Sequence, residues 1–547
     1  MTLTKPNPIV RLMPSLTDVA FLMPVVFLFS RMDGLKTLLG DGDTGWHIRA
    51  GEWILQNHRV PTQDLFSFTK PDSPWYAWEW LWDIGAAWLH QHWGLGGVAL
   101  ASLLIICLTF ALLFKVVNRA CANPLIAIGL TVLAVSGSTI HWLARPHLVT
   151  MLLTTMFLAI LQRVREGRGK LLWWLPVLTI LWTNLHAGFI VGIVILGAYA
   201  AGALVRALFA SASDERRAAL RSALPLLAAA AGCAAASLIN PYGYQLHKHI
   251  VEYFQDTYQM KYIAEFQSSG FQSAQAIFLE LMLILGVAAA VWEARRKQFG
   301  AAILVLGWAH LAVIASRNIP IFMIVAAPVV AVAMVDWLAV LRNAASVRWL
   351  PRVAQLVESV GQEIGPMEKL WRVHAVCAAL LILVGVGMAS PNAGVKLKPV
   401  FDENTYPAKA LAMLNPSQRI FADDEWGDYL IYRLSPNGTK VFVDGRSDFY
   451  GSKFGQDYID LMNVQHNWEQ TLNRYRVDTI LLSPRTALAS AIKESSHWRV
   501  VYDDGIAIVF RPAVERAGTI EKITTSRFGG QKLEPRRVQG SQISIGG

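Results

Sequence analysis

Apolar runs near 14–31, 97–117, 123–141, 146–163, 171–185, 187–206, 222–239, 275–292, 299–316, 318–340 and 373–390 decide what this chain can become. About 20 apolar residues span the hydrocarbon of a bilayer, and every backbone N–H and C=O placed there must find its partner within the protein. Only helices and closed barrels achieve that. Runs of this length predict a polytopic α-helical membrane protein with about eleven transmembrane helices. The composition agrees, since 54% hydrophobic and 16% charged residues over 547 positions is too apolar and too long for one soluble domain.

Charge sets the expected orientation. With the N-terminus in the cytoplasm, the inside segments hold twenty Lys and Arg, Lys5 and Arg348 among them, and the outside loops hold eight. The positive-inside rule then puts the first loop and the C-terminal region outside the cytoplasm. The net charge of +10 comes largely in short clusters beside apolar segments, which is this topology signal and argues against nucleic acid as a partner. Cys107, Cys121, Cys233 and Cys377 lie in apolar segments or at their edges without CxxC spacing, so neither a disulfide framework nor a metal site is expected from them. No small-residue cleavage pattern follows the apolar run Val19 to Ser30, which is expected to stay as an anchor.

The chain divides into a first segment (1–31), a polar loop (32–96), a helical bundle (97–390) with a long loop at 240–275, an α/β domain (391–512) and a basic tail (513–547) expected to lack structure. The first loop opens Asp41-Gly42-Asp43 and carries eight of the chain's 20 tryptophans between Trp46 and Trp93. Two interfacial helices are expected there. One stripe is Trp46, Ala50, Trp53 and Ile54; the other is Trp75, Trp78, Trp82, Ala86 and Leu89, with the tryptophans lying at the headgroup level. In the α/β domain, strands are expected at 419–422, 440–444, 479–482, 498–502 and 506–510, and helices at 428–434, 457–462, 466–475 and 487–494.

Asp41 and Asp43, paired on a glycine turn, are candidates for a general base, or for two ligands of a divalent cation (Mg or Mn). Three short turns share their side of the membrane and carry His141 to His147, Asn184 with His186, and Arg317. Arg145, Arg317, His147 and His186 are candidates to grip a phosphate, arginine through its forked donors. Glu265 in the long loop is a further acid, its bland alternative being a solvated charge. In the C-terminal domain, Glu425-Trp426-Gly427-Asp428-Tyr429 and Asp444-Gly445-Arg446 follow two expected strands, where recognition loops commonly sit, although helix capping and turn formation explain some of these acids.

With these residues in hand, the chain resembles the GT-C superfamily of membrane glycosyltransferases that use polyprenyl-phosphate or polyprenyl-diphosphate sugars. Its C-terminal domain is similar to that of oligosaccharyltransferase catalytic subunits, whose Trp-Trp-Asp-Tyr-Gly motif precedes a strand and an Asp-Gly turn. Here Trp426, Asp428, Tyr429 and Asp444 follow that order, and Ile263-Ala264-Glu265 looks like the family's loop motif ending in glutamate. The resemblance implies an inverting transfer on the periplasmic face of a bacterial inner membrane. Asp41 and Asp43 would be catalytic, a polyprenyl-linked sugar the donor and membrane lipid the surroundings. Glu265, Trp426, Asp428, Tyr429, Asp444 and Arg446 would bind the acceptor, a glycan, lipid or protein. The sequence departs from the family at the turn 141–147, which holds no carboxylate where a second acidic pair is usual. Two other classes stay open at this stage: a transporter or flippase for lipid-linked glycans, and a non-catalytic assembly protein. A transporter should bury ionisable residues at mid-membrane, and the spans hold little beyond Glu280 and His310.

Overall fold

The computed structural model describes residues 11–273, 275–343, 349–370 and 372–513. Lys5, Arg348 and the tail from 514 lie outside these residues.

Every one of the apolar runs forms a helix. Among the described residues, six helices are long and apolar enough to cross a membrane: Trp80–Cys121, His147–Arg165, Ala187–Leu208, Ser213–Ala236, Ala276–Arg295 and Ser316–Arg342. The chain is a multi-pass membrane protein. The remaining runs give shorter helices, among them Leu16–Arg31, Pro124–Gly137, Phe299–Ile314 and Ala375–Ala389. Start signals fix where one of them begins: the Asn123 side chain accepts from the Leu125 and Ile126 N–H groups, and Pro124 opens the helix.

The first loop departs from the expected pair of surface helices. Its first helix, Asp43–Asn57, forms as expected and buries Trp46, Ala50 and Ile54. Trp75 and Trp78 do not join a helical stripe, because Pro74 bridges Gln63 and the Trp75 N–H donates to the Thr62 carbonyl at 3.0 Å, making a small hairpin. The following helix starts at Trp80, so only Trp82, Ala86 and Leu89 of the stripe are helical; Gly94, at φ 61°, kinks it before the membrane segment. Nor do the tryptophans form one headgroup belt. Trp46 and Trp75 are buried with Phe66 and Ala77 in the core of the C-terminal domain, while Trp88 and Trp93 are exposed. Burying an indole removes a large apolar area from water, which favours the core position wherever one is offered.

The C-terminal domain is built on a mixed sheet, four-stranded among the described residues. Its strands are β1 (Ile420–Phe421), β2 (Thr479–Leu482), β3 (Trp498–Asp503) and β4 (Ile508–Pro512), in the order β1-β2-β4-β3. β1 runs parallel to β2; β4 is antiparallel to both its neighbours. The expected strand at 440–444 reduces to single bridges, from Val441 to Ser67 on one side and to Ile420 on the other. The first loop thus adds itself to the sheet: the Phe68 N–H donates to the Val441 carbonyl at 3.0 Å and the Val441 N–H to that of Phe66 at 2.8 Å.

Two expected loops are helical at their starts. Asp423 caps the helix Asp424–Leu434 by accepting from the Trp426 N–H at 2.8 Å, so Trp426, Asp428 and Tyr429 sit in its first turns rather than on a strand-end loop. The helix after Arg446 begins at Ser447, ten residues before the expected start. In the long loop, the helix Tyr244–Gln255 ends at Asp256, whose carboxylate accepts from the Tyr258 N–H at 2.9 Å and starts a second helix, Thr257–Tyr262.

Candidate active site

Asp41 and Asp43 are held by their own turn. The Asp43 N–H donates to Asp41 Oδ1 at 2.8 Å, Asp43 begins the helix Asp43–Asn57, and one turn on the Trp46 indole donates to Asp43 Oδ1 at 3.1 Å. A helix N-terminus favours negative charge there. Arg145 meets this pair from the turn before the helix His147–Arg165. Its Nη1 lies 2.7 Å from Asp41 Oδ2 and 2.7 Å from Glu265 Oε1, and its Nη2 lies 2.7 Å from Asp43 Oδ2. One guanidinium therefore gathers three carboxylates from two loops.

Glu265 is placed by a neighbouring turn. Ser316 donates its hydroxyl to the Glu265 carbonyl at 3.2 Å and its N–H to the Gln267 carbonyl at 2.9 Å, which stitches the Arg317 turn beside the acid. The Arg317 guanidinium lies over the Phe266 ring, 4.4 Å from its centroid, and forms no ion pair among the described residues.

The C-terminal domain supplies two more acids. Glu425 Oε1 accepts from the Gly42 N–H at 2.8 Å and the Tyr406 hydroxyl at 2.6 Å. Asp428, buried, accepts from the Gly445 N–H at 2.9 Å. The approach is close enough that a Cβ on Gly445 would stand 2.2 Å from Asp43 Oδ1, and one on Gly427 would stand 1.9 Å from the Val443 carbonyl oxygen. Asp-Gly-Asp, Trp-Gly-Asp and Asp-Gly-Arg are thus three layers of one packed contact.

Crowding several acids around one arginine separates their affinities for protons. Burial pushes Asp43 up to about 7, with Arg145 opposing and the charges of Asp41 and Glu425 adding to the rise. Burial and the neighbouring Asp43 hold Asp428 well above the carboxylate range. Glu265 goes the other way: burial works against its charge, yet Arg145 holds it well below its usual value.

Glu79, to which the sequence assigned no role, stands between two histidines. His186 Nε2 is 3.5 Å from its Oε1 and His47 Nε2 is 3.6 Å from its Oε2. His186 Nδ1 accepts from the Gly188 N–H at 3.1 Å and lies 2.8 Å from the Thr150 hydroxyl, which leaves its proton on Nε2, facing Glu79. His47 Nδ1 lies 2.6 Å from Asp83. Burial raises Glu79 to about 8 and lowers His186 to about 3, so near neutrality both are uncharged. His147 spends its Nε2 on the His141 carbonyl at 2.7 Å.

The remaining acceptor candidates face elsewhere. The Trp426 indole donates to the Thr405 carbonyl at 2.9 Å, and Tyr429 is buried against Phe401 and Tyr406. Asp444 and Arg446 close on each other: Arg446 Nε and Nη2 reach Asp444 at 2.8 and 2.7 Å, and Nη2 reaches Asp64 at 2.8 Å. Both residues are 2% exposed, which leaves neither a free face for an acceptor. Asp64, Glu79 and Asp83 were missed as partners, and Glu425 was named within its stretch without a role of its own. A lone acid between tryptophans, Trp78-Glu79-Trp80, was the available signal for Glu79. Among the described residues, no three His, Cys, Asp or Glu side chains are grouped to hold a metal ion.

The fold is similar to that of a solved oligosaccharyltransferase. The oligosaccharyltransferase AglB from Archaeoglobus fulgidus, solved with an inhibitory peptide and a dolichol-phosphate, is similar at a TM-score of 0.50 and 12% identity, over 90% of this chain and 73% of that one. ArnT from Cupriavidus metallidurans, solved bound to undecaprenyl phosphate, aligns at a TM-score of 0.42 and 14% identity, over 91% of this chain and 97% of that one. No protein-family model matches the chain, and no curated protein matches it by sequence. At 12% identity the likeness to AglB is one of fold.

Proposed function

We propose that this chain is an inverting membrane glycosyltransferase that moves a sugar or glycan from a polyprenyl-phosphate or polyprenyl-diphosphate donor to an acceptor. The observation that carries the reading is the convergence of Asp41, Asp43, Arg145 and Glu265 with Asp428 of the C-terminal domain at one end of the bundle. Supporting it is a fold shared with an oligosaccharyltransferase that was solved with a dolichol-phosphate. The excess of Lys and Arg in the alternate loops supports a cytoplasmic N-terminus and a site on the opposite, periplasmic face, and the apolar runs support about eleven crossings.

In this reading the acceptor hydroxyl oxygen attacks the anomeric carbon while the bond to the lipid phosphate breaks on the opposite face. Asp43 takes the hydroxyl proton, being poised near neutrality and fixed by Trp46. Arg317, uncommitted to a carboxylate, meets the charge that develops on the departing phosphate. Glu425 and Asp428 line the acceptor side, and Trp426, Tyr429, Asp444 and Arg446 hold the domain that carries them.

Purified protein in liposomes, given polyprenyl-phosphate and polyprenyl-diphosphate sugars, tests this. Release of the lipid phosphate with a new glycosidic bond is expected; movement of intact donor across the bilayer without bond formation would assign a transporter instead. The base must be ionised to act, so transfer is expected to rise with pH through about 7 and level off above it. A flat profile across that range would remove Asp43 from the role.

A further inference from the structure

We infer that the Arg145 guanidinium is the resident cation of this acid site, standing where a divalent metal would otherwise bind, and that the site works without one. Three observations lead there. The oxygens of Asp41, Asp43 and Glu265 that would face a shared metal are each turned onto the same guanidinium at 2.7 Å. Mg²⁺ needs oxygens at about 2.0–2.1 Å in near-octahedral array. With Arg145 between the carboxylates, that array cannot form, so the residues as placed do not fit the ion.

The second observation is that the backbone fixes Arg145 in place. The Ala144 N–H donates to the Leu38 carbonyl at 2.7 Å, and Thr44, beside Asp43, donates its hydroxyl to the Ala144 carbonyl at 3.2 Å. The residue before the arginine is therefore bonded on both sides to the loop that carries the acids. A side chain caught there by chance would not need that anchorage. The third is sequence: the turn 141–147 offers no carboxylate to complete a metal shell, and brings this arginine instead. A guanidinium also differs from a metal in what it can do. It carries one fixed charge, it does not exchange with the medium, and its planar fork orients two carboxylates at once.

The ion-binding half of this inference stands apart from the glycosyl-transfer reading; the catalytic half rests on it. Full-length protein in detergent is titrated with Mn²⁺, and free Mn²⁺ is followed by electron paramagnetic resonance. Wild type is expected to take up no Mn²⁺ that Asp43→Asn abolishes. Arg145→Ala, which frees the three carboxylates, is expected to bind Mn²⁺ tighter than wild type by about an order of magnitude or more. Adding Asp43→Asn to it should remove the gain, and Arg145→Lys, which keeps a cation, should not show it. A wild-type Mn²⁺ site lost in Asp43→Asn overturns the inference, as does a folded Arg145→Ala protein that binds Mn²⁺ no better than wild type. Should Arg145→Ala not fold, wild type decides. Transfer that stays within about two-fold in excess EDTA supports the inference, and transfer lost in EDTA and restored by Mn²⁺ overturns it. If no sugar transfer is seen under any condition, the glycosyltransferase reading fails and the Mn²⁺ titration still decides the ion site.

Discussion

Asp43→Asn protein is expected to transfer sugar about 10²–10⁴-fold more slowly than wild type, the usual worth of a positioned general base. The substitution keeps the side chain's shape and exchanges the oxygen that meets Arg145 Nη2 at 2.7 Å for an amide nitrogen, so Arg145 loses one of its three carboxylates. An amide oxygen still accepts from the Trp46 indole, and the amide fits beside Gly445, where a Cβ would already stand 2.2 Å from the Asp43 oxygen. Arg145 keeps Asp41 and Glu265. Asp43 binds its proton more tightly in the folded chain, about 7 against an ordinary 3.8, so native stability declines as pH rises from about 4 to about 7. The asparagine protein lacks that decline, so its stability relative to wild type should rise as pH goes from about 4 to about 7. Transfer kinetics from a labelled lipid donor, set beside thermal unfolding at two pH values, check both halves. A large loss in Asp41→Asn with none in Asp43→Asn would move the base to Asp41.

Arg446→Ala is expected to cost about 3–5 kcal/mol of stability, because removing one partner of a buried ion pair leaves the others charged and unpaired. The stranded groups are Asp444, which also accepts from the Tyr450 hydroxyl at 2.8 Å, and Asp64, which holds the Ser67 N–H and hydroxyl at 2.8 Å each. The guanidinium is further packed against Phe66, Trp75 and Phe449, with centroid distances of 5.1, 4.6 and 4.9 Å. Since Asp64, Phe66 and Trp75 belong to the first loop, the loss should show as a lower unfolding midpoint together with faster proteolysis between 62 and 75. Arg446→Met combined with Asp64→Asn and Asp444→Asn should recover much of the midpoint. A single Arg446→Ala protein as stable as wild type would contradict the buried-pair account.

The helices of this chain were legible because a bilayer demands one thing of each segment, a sufficient apolar length, and that is a local property. The acid pair was legible for a similar reason, since Asp41 and Asp43 sit on one turn. What escaped depends on distant partners. Arg145 read as a phosphate ligand, while its carboxylates come from 104 and 120 residues away. Glu79 gains its meaning only from His47 and His186. Val441 and its neighbours have the β-branched and aromatic character of a strand, but the chain turns at Gly445 and only single bridges form. The start of the helix Asp424–Leu434 was hidden by Gly427, since glycine costs a helix roughly 1 kcal/mol relative to alanine. It stands there because the Val443 carbonyl leaves no room for a Cβ.

The bonds that tie the first loop to Val441 and Phe442 join residues 373 and more positions apart. A ribosome making this chain releases the Asp-Gly-Asp turn early, and all the membrane helices must follow before Glu425, Asp428 and Gly445 emerge to close over it. Until then the acid pair lacks its cover and the indoles of Trp46 and Trp75 lack their core. The order of synthesis thus keeps the site unfinished until the last domain arrives, and a chain cut short after its final membrane helix would be inserted yet incomplete.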